Sequence, residues 1–418
     1  MQWIGENILM QSLKELYKIG NGPSSSHTMG PKRAVEIFKN KNLEADKFKV
    51  ILYGSLALTG KGHLTDYIIK QTLEGYETEI EFNKEYKCDV HPNTFDIYAF
   101  KDGKQLSHWR VYSVGGGTFQ VEGKKEITAQ NIYEEKSFKE IKEYCKKNNC
   151  DLYEYVCKIE GESIKEFLYE IWDSMQSTIK KGLKAEGLIH GKLNLDKRAK
   201  AIYEKKIENE DETVKQNRLL CAYAYATSEE NASGGVIVTA PTCGASGVLP
   251  SVLYYMKEKY DIEDEKIVKA LAVAGVIGNL VKENASISGA ECGCQAEIGT
   301  ACSMAAAACT YLLGGNLKKI ENASEIAMEH HLGLTCDPIY GYVQIPCIER
   351  NAVAATRAVE ASNLSMLLDT ERKVSFDVVV ETMYETGKDL QSHYRETSKG
   401  GLAKKYCRNK YYNIEMEE

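Results

Sequence analysis

The sequence predicts an α+β chain. An N-terminal α/β sandwich-like domain is expected over residues 1–150, and a larger all-helical domain over residues 151–418. Three observations carry this. Strand-type segments crowd the first third. From about residue 130, apolar residues recur at three- and four-residue spacing. Between the two regimes lies the polar stretch Lys146–Asp151, KKNNCD, which reads as a linker.

The opening stretch MQWIGENILMQSLKELYKIG reads as a short amphipathic helix. It lacks the basic and apolar regions of an export signal, so a cytoplasmic protein is expected. Lys32–Lys41 is a second helix. Phe48–Leu58, FKVILYGSLAL, is rich in β-branched and apolar residues and reads as a strand. Tyr76–Phe82 alternates as a half-buried strand does. Phe95–Phe100 and His108–Val114 flank a hairpin whose turn is marked by Asp102–Gly103, and Gly115–Gly117 ends the second of them. Helical spacing then marks Phe138–Lys147 and Ile164–Lys181. Alanine-rich helices follow at Ala222–Ser228, Ile267–Asn284, Thr300–Leu313 and Asn351–Leu367.

Composition narrows the function. Hydrophobic residues make up 43% of the 418, enough for a sizeable core. A net charge of −7 gives no electrostatic footprint for nucleic acid. The longest apolar run, Ile267–Val281, is short for a membrane span and contains Lys269. The thirteen cysteines are odd in number and lack an export signal, which argues against a disulfide framework. Some can be small core residues and others metal ligands.

The seven prolines fall in the segments that hold most of the candidate chemistry. In Asn21–Arg33, NGPSSSHTMGPKR, Ser24, Ser25, Ser26 and Thr28 offer hydroxyls, and His27 titrates near neutral pH. The alternative is a polar turn capping the helix that starts near Pro31. Gly60–Asp66 presents His63, and His91–Asn93 forms a third polar site. Thr239–Pro250, TAPTCGASGVLP, leads into the helix Ser251–Lys259. Its Thr242, Gly244 and Ser246 suit an anion such as a carboxylate. Ser286–Thr300 and Gly333–Arg350 supply Cys294, Cys336 and Cys347. Cysteine thiolates are the usual ligands of iron–sulfur clusters, and three of them leave one of four irons open to Lewis-acid chemistry. A zinc site on the same thiols competes, although zinc motifs usually pair cysteines two to four residues apart. Cys302 and Cys309, seven residues apart on an alanine-rich helix, read as core.

Six segments together resemble the iron–sulfur-dependent L-serine dehydratases: GPSSSHTMGPKRA, GSLALTGKGH, APTCGASGVLPSVL, GAECGCQAEIGTACSMAAA, GLTCDPIYGYVQIPCIERNAVAA and YRETSKGGLA. They run from residue 22 to residue 403. The resemblance implies a single-chain enzyme with a 4Fe–4S cluster on Cys294, Cys336 and Cys347 and no pyridoxal phosphate. It implies conversion of L-serine to pyruvate and ammonia. The open iron would receive the hydroxyl, and a base would take the α-hydrogen: His27 first, then Lys282 or His63. The Ser24–Ser26 loop, Thr28, Asn93 and Thr242–Ser246 would hold the substrate. A homodimer without nucleic-acid or membrane partners is expected.

Two departures stand out. Cys292 occupies a position that is usually apolar in the family. Cys407 sits where the family's tail often places a cysteine that closes the open iron, yet eleven residues follow it. Rival readings are a related lyase acting on threonine or cysteine, and a serine or redox sensor without turnover.

Overall fold

A computed structural model describes residues 9–86, 88–124, 131–369 and 372–408. Its five-stranded sheet has the order Glu77–Asn83, Lys47–Tyr53, Thr94–Lys101, Lys104–Gly115, Thr118–Val121. The first two strands pair parallel and the others antiparallel. In Lys47–Tyr53 alternate residues are buried. Phe48, Val50 and Leu52 pack on Ala34, Phe38 and Ile69 from the helices Gly30–Asn40 and Thr65–Thr72. Period-two burial on one face is what an antiparallel-type sheet with one covered side requires. This gives the α+β layout expected from the sequence.

The strand expected over Phe48–Leu58 stops at Tyr53, and Gly54–Thr59 is helical. Gly54 turns the chain in the left-handed region, at φ 51°. A Cβ there would meet the Pro92 carbonyl oxygen at 2.4 Å, so only glycine fits this turn.

The opening helix also gives way to other structure. Residues 1–8 lie outside the described residues. Beyond them Met10–Gln11 is a strand on Asn131–Tyr133, Leu13–Glu15 is a single 3₁₀ turn, and Ile19–Asn21 pairs with Val236–Val238. The apolar spacing of this segment serves burial and not a continuous helix. Leu13 and Leu16 are fully buried against Gly275 and Gly278 of the helix Asp264–Asn284. Met10, Leu13, Leu16 and Tyr17, and later Tyr133, Phe138 and Ile141, belong to the same core as the helices of the C-terminal region. The second core runs from Ala34 to Val121. The two cores therefore part on either side of the sheet unit rather than at Lys146–Asp151. That stretch ends the helix Phe138–Asn148 and turns into the helix Leu152–Glu160, which Asp151 caps.

The helix Thr300–Leu312 runs through the larger core, packed by Val248–Tyr260, Asp264–Asn284, Leu317–Glu329 and Cys347–Leu367. Its Ala305–Ala308 run is fully buried; such small residues let neighbouring helices approach closely. Among the described residues no helix is long and apolar enough to cross a membrane.

Leu13 offers a direct test of this architecture. Leu13→Ala is expected to lower unfolding stability by about 2–5 kcal/mol, read from the urea midpoint. A change below about 0.5 kcal/mol would mean that the segment does not plug the helical core.

Candidate active site

The site is built where the segment before Gly30–Asn40 meets three irregular stretches of the helical body. Ser24 caps a short π-helical turn, Ser25–Met29, accepting the His27 backbone N–H at 3.1 Å. Gly22 lies against Asn231, where a Cβ would meet the Asn231 carbonyl oxygen at 2.4 Å, and Asn231 Nδ2 donates to the Pro23 carbonyl. The loop is thus locked onto the helix Glu212–Ala232.

His27 is fully buried and both of its ring nitrogens meet hydroxyls. Nδ1 lies 2.9 Å from Ser26 Oγ, and Nε2 lies 3.1 Å from Ser55 Oγ. Ser55 donates its own proton to the Glu396 carbonyl oxygen at 3.0 Å. It must therefore accept from Nε2–H, which leaves Nδ1 as the basic nitrogen of His27. Beside it stands His63, with ring centroids 4.3 Å apart. Thr28 Oγ1 donates to the His63 carbonyl at 2.7 Å, so the serine loop also positions the second histidine. Among the described residues the two ring nitrogens of His63 have no hydrogen-bond partner. Glu396 Oε1 lies 3.7 Å from His27 Nδ1 and 3.9 Å from His63 Nε2.

Burial pushes the His63 imidazole down to about 3, and burial together with the His63 charge pushes His27 well below its ordinary value. Both are neutral at pH 7. The sign of the linkage follows. A depressed His63 leaves stability intact above pH 6.5, and stability falls as pH drops from 6.5 toward about 3, because the unfolded chain takes up the proton first. By pH 5 the loss from His63 is about 2 kcal/mol. Urea midpoints at pH 7 and pH 5 should show a shallower acid slope in His63→Gln than in the parent chain; equal slopes would refute the assignment.

Cys294, Cys336 and Cys347 converge on a small cavity of about 20 Å³, which they share with Ser24, His63, Gly244, Glu297 and Glu396. That volume holds about one water. Gly293, at φ 73°, turns the chain so that its α-carbon faces the Leu334 carbonyl, and Gln295 N–H donates to that carbonyl at 3.2 Å. Cys294 is thereby brought beside Cys336. Cys336 N–H donates to the Tyr394 carbonyl and Glu396 N–H to the Cys336 carbonyl, each at 2.8 Å, which ties the Glu396 segment to the same wall. Cys347 opens the helix Cys347–Leu367.

A hydrogen bond with Cys336 holds the Cys294 thiol below its ordinary value and the Cys336 thiol above its own. Burial pushes Cys347 up. Burial opposes the charge of Arg350, but the thiols of Cys294, Cys347 and Cys336 favour it, and the net effect keeps it protonated. All three cysteines are free thiols. Three buried sulfurs beside one arginine are the donor chemistry of a cluster bound through thiolates, and on that ground the residues fit one.

Residues 119–403 match the family model of the serine dehydratase alpha chain, and residues 12–81 match that of the serine dehydratase beta chain. An L-serine dehydratase of Haemophilus influenzae is 39% identical, aligned over 96% of this chain and 100% of its own length. L-serine dehydratase 2 of Escherichia coli is 39% identical over 95% of this chain and 99% of its own length. For an L-serine dehydratase of Streptomyces coelicolor the figures are 38%, 94% and 98%. The chain belongs to the L-serine dehydratase family.

Within this L-serine dehydratase family member, the expected site residues divide. Ser24, His63, Gly244 and the three cysteines line the cavity. Ser26, His27 and Thr28 stand behind that wall. Ser25 is buried in the same turn. Thr242 donates its hydroxyl to Glu297 Oε1 at 2.7 Å. Ser246 is buried with its hydroxyl unpartnered. Asn93 sits apart, its backbone N–H on His91 Nδ1 at 3.0 Å.

Lys282 and Cys407 are likewise not brought to the cavity. Lys282 Nζ reaches Gln11 Oε1 at 2.6 Å and the Glu15 carbonyl at 3.2 Å. Cys407 is exposed on the helix Gly401–Arg408, beside Tyr340. Cys292 faces Gly387, where a Cβ would lie 2.7 Å from its sulfur, so it points away from Cys294's cavity. Cys302 and Cys309 are fully buried core residues, as the sequence suggests.

Sequence reasoning missed Ser55, Glu297, Arg350 and Glu396. The available signal was a lone glutamate among small residues in QAEIGTACSMAAA and another in YRETSKGG.

Proposed function

We propose that the chain converts L-serine to pyruvate and ammonia, on a 4Fe–4S cluster held by Cys294, Cys336 and Cys347. The observation that carries this reading is the meeting of three buried free thiols with His63 and two carboxylates around one cavity. The names of the relatives support the substrate.

When bound, such a cluster supplies a Lewis acid that helps the β-hydroxyl depart. The chain's residues have the remaining tasks. His63 is the base that this geometry favours for the α-hydrogen, because it faces the cavity with unpartnered ring nitrogens. His27 stands behind it, oriented by Ser26 and Ser55. Burial keeps both rings neutral at pH 7, which leaves a ring lone pair on each, and at the same time weakens them as bases. Arg350 offsets the charge of the thiolates. A larger cleft of about 480 Å³ meets the site at Ser55 and is lined by Lys388, Arg395 and Lys399. It is the approach for a small zwitterion.

The test is anaerobic purification, iron and sulfide quantitation, and a pyruvate assay with L-serine, L-threonine and L-cysteine. Pyruvate from L-serine, lost together with iron on exposure to air, is expected. Turnover that survives complete removal of iron would sink the cluster reading.

A further inference from the structure

Glu297 and Glu396 reach the same small cavity from segments a hundred residues apart. Glu396 is buried, and Glu297 keeps some accessible surface. A carboxylate withdrawn from water is costly unless a counter-charge or a full set of donors replaces the water. Here the replacement is incomplete. Thr242 gives Glu297 Oε1 one hydroxyl bond at 2.7 Å, and the Cys294 thiol is a weak donor to Oε2 at 3.9 Å. Two imidazoles stand 3.7 and 3.9 Å from Glu396 Oε1, beyond hydrogen-bond length. Among the described residues neither carboxylate has an ion pair with a lysine or arginine. Arg350 pairs with Asp337 at 3.4 Å and the Thr335 carbonyl at 2.6 Å, and its charge, felt at Glu297, is shared with the three thiols.

A second feature points to a ligand. His63 is fully buried, lines the cavity and leaves both ring nitrogens without a partner. The wall is thus rich in acceptors and short of cationic donors. Two glycines also clasp Glu297. A Cβ on Gly244 would lie 3.1 Å from its Oε1, and one on Gly289 would lie 2.6 Å from its Oε2. The backbone approaches this carboxylate so closely that the side chain is confined to one orientation.

We propose that Glu297 and Glu396 form the subsite for the α-ammonium group of the substrate. The inference deepens the serine reading and rests on it. A primary ammonium is compact and carries three N–H donors, which two carboxylates converging on one small space can accept. The subsite makes the amine, and not only the hydroxyl, a condition of binding. Thr242 then serves the amino end of the substrate by orienting Glu297, not the carboxylate end.

The test uses the full-length, anaerobically purified, iron-loaded protein. Inhibition of pyruvate formation is compared for L-alanine and propanoate, which differ by the ammonium group alone. L-Alanine is expected to inhibit at about tenfold lower concentration or better, the scale of a charge-assisted hydrogen bond. Equal inhibition by the two overturns the proposal. In Glu297→Gln and Glu396→Gln the ratio is expected to shrink to about threefold or less, with KM for L-serine up by about tenfold or more. A variant that loses kcat while keeping both KM and the inhibitor ratio shows a carboxylate acting in proton transfer, and overturns the proposal for that residue. Should the variants fail to fold, the comparison in the parent protein still decides. Should the parent form no pyruvate from L-serine, the serine reading fails separately; calorimetric binding of L-alanine against propanoate then tests the subsite alone.

Discussion

Replacing Cys336 with alanine is expected to remove bound iron and lower pyruvate formation by about 1,000-fold or more, because hydroxide is a poor leaving group without a Lewis acid. Cys336 is tied to the site through both its sulfur and its backbone. It shares a hydrogen bond with Cys294, and its backbone holds the Tyr394–Glu396 segment on both sides. On the proposed ligation its loss would leave two of three thiolates, too few to hold a four-iron cluster firmly. Cys292→Ala is the control. That sulfur faces Gly387, so iron content and turnover should stay near those of the parent. Iron per chain, visible absorbance and pyruvate are the measurements. A Cys336→Ala protein that retains iron and turnover would exclude this residue as a ligand.

His63→Gln should lower kcat by about 100- to 10,000-fold, the usual contribution of a positioned base. His27→Gln should lower it less, by about tenfold, through disordered packing behind the wall. The difference comes from placement. His63 looks into the cavity with free ring nitrogens, whereas both nitrogens of His27 are engaged by Ser26 and Ser55. Steady-state rates with L-serine and with its α-deuterated form separate the two roles. The isotope effect should grow in His63→Gln if proton removal has become limiting. Full turnover in His63→Gln would return the base to His27.

The helical region was legible because its periodicity is strong and its small residues are tightly packed. The helix expected at Thr300–Leu313 is found at Thr300–Leu312, and that expected at Asn351–Leu367 at Cys347–Leu367. The opening segment was not. Its spacing of Leu13, Leu16 and Tyr17 fits a helix, but the partners that make a 3₁₀ turn and two short strands preferable lie more than a hundred residues away. Cys294, Cys336 and Cys347 were visible because thiols with proline and glycine around them have few other uses. Glu297 and Glu396 were not, since a glutamate is ordinarily a surface residue and its burial is decided by distant segments. Lys282 was overvalued for a similar reason. A lysine on an apolar helix looks poised for chemistry until Gln11 and Glu15 are found to receive it.

The stitching of residues 10–21 into the helical core has a consequence for how the polypeptide can be divided. The sheet unit leaves and re-enters the larger body, so it is a loop held at both ends and not a pendant module. One family model covers the plug and the first part of this excursion, residues 12–81, and the other begins near its end, at residue 119. A chain cut between them would leave Leu13, Leu16 and Tyr17 on the smaller fragment. That fragment would then act as an intermolecular plug, and the larger one would expose the groove along Gly275 and Gly278 until the two reassociate. Co-expressed halves should therefore copurify, and deleting residues 9–17 from the smaller half should abolish their association.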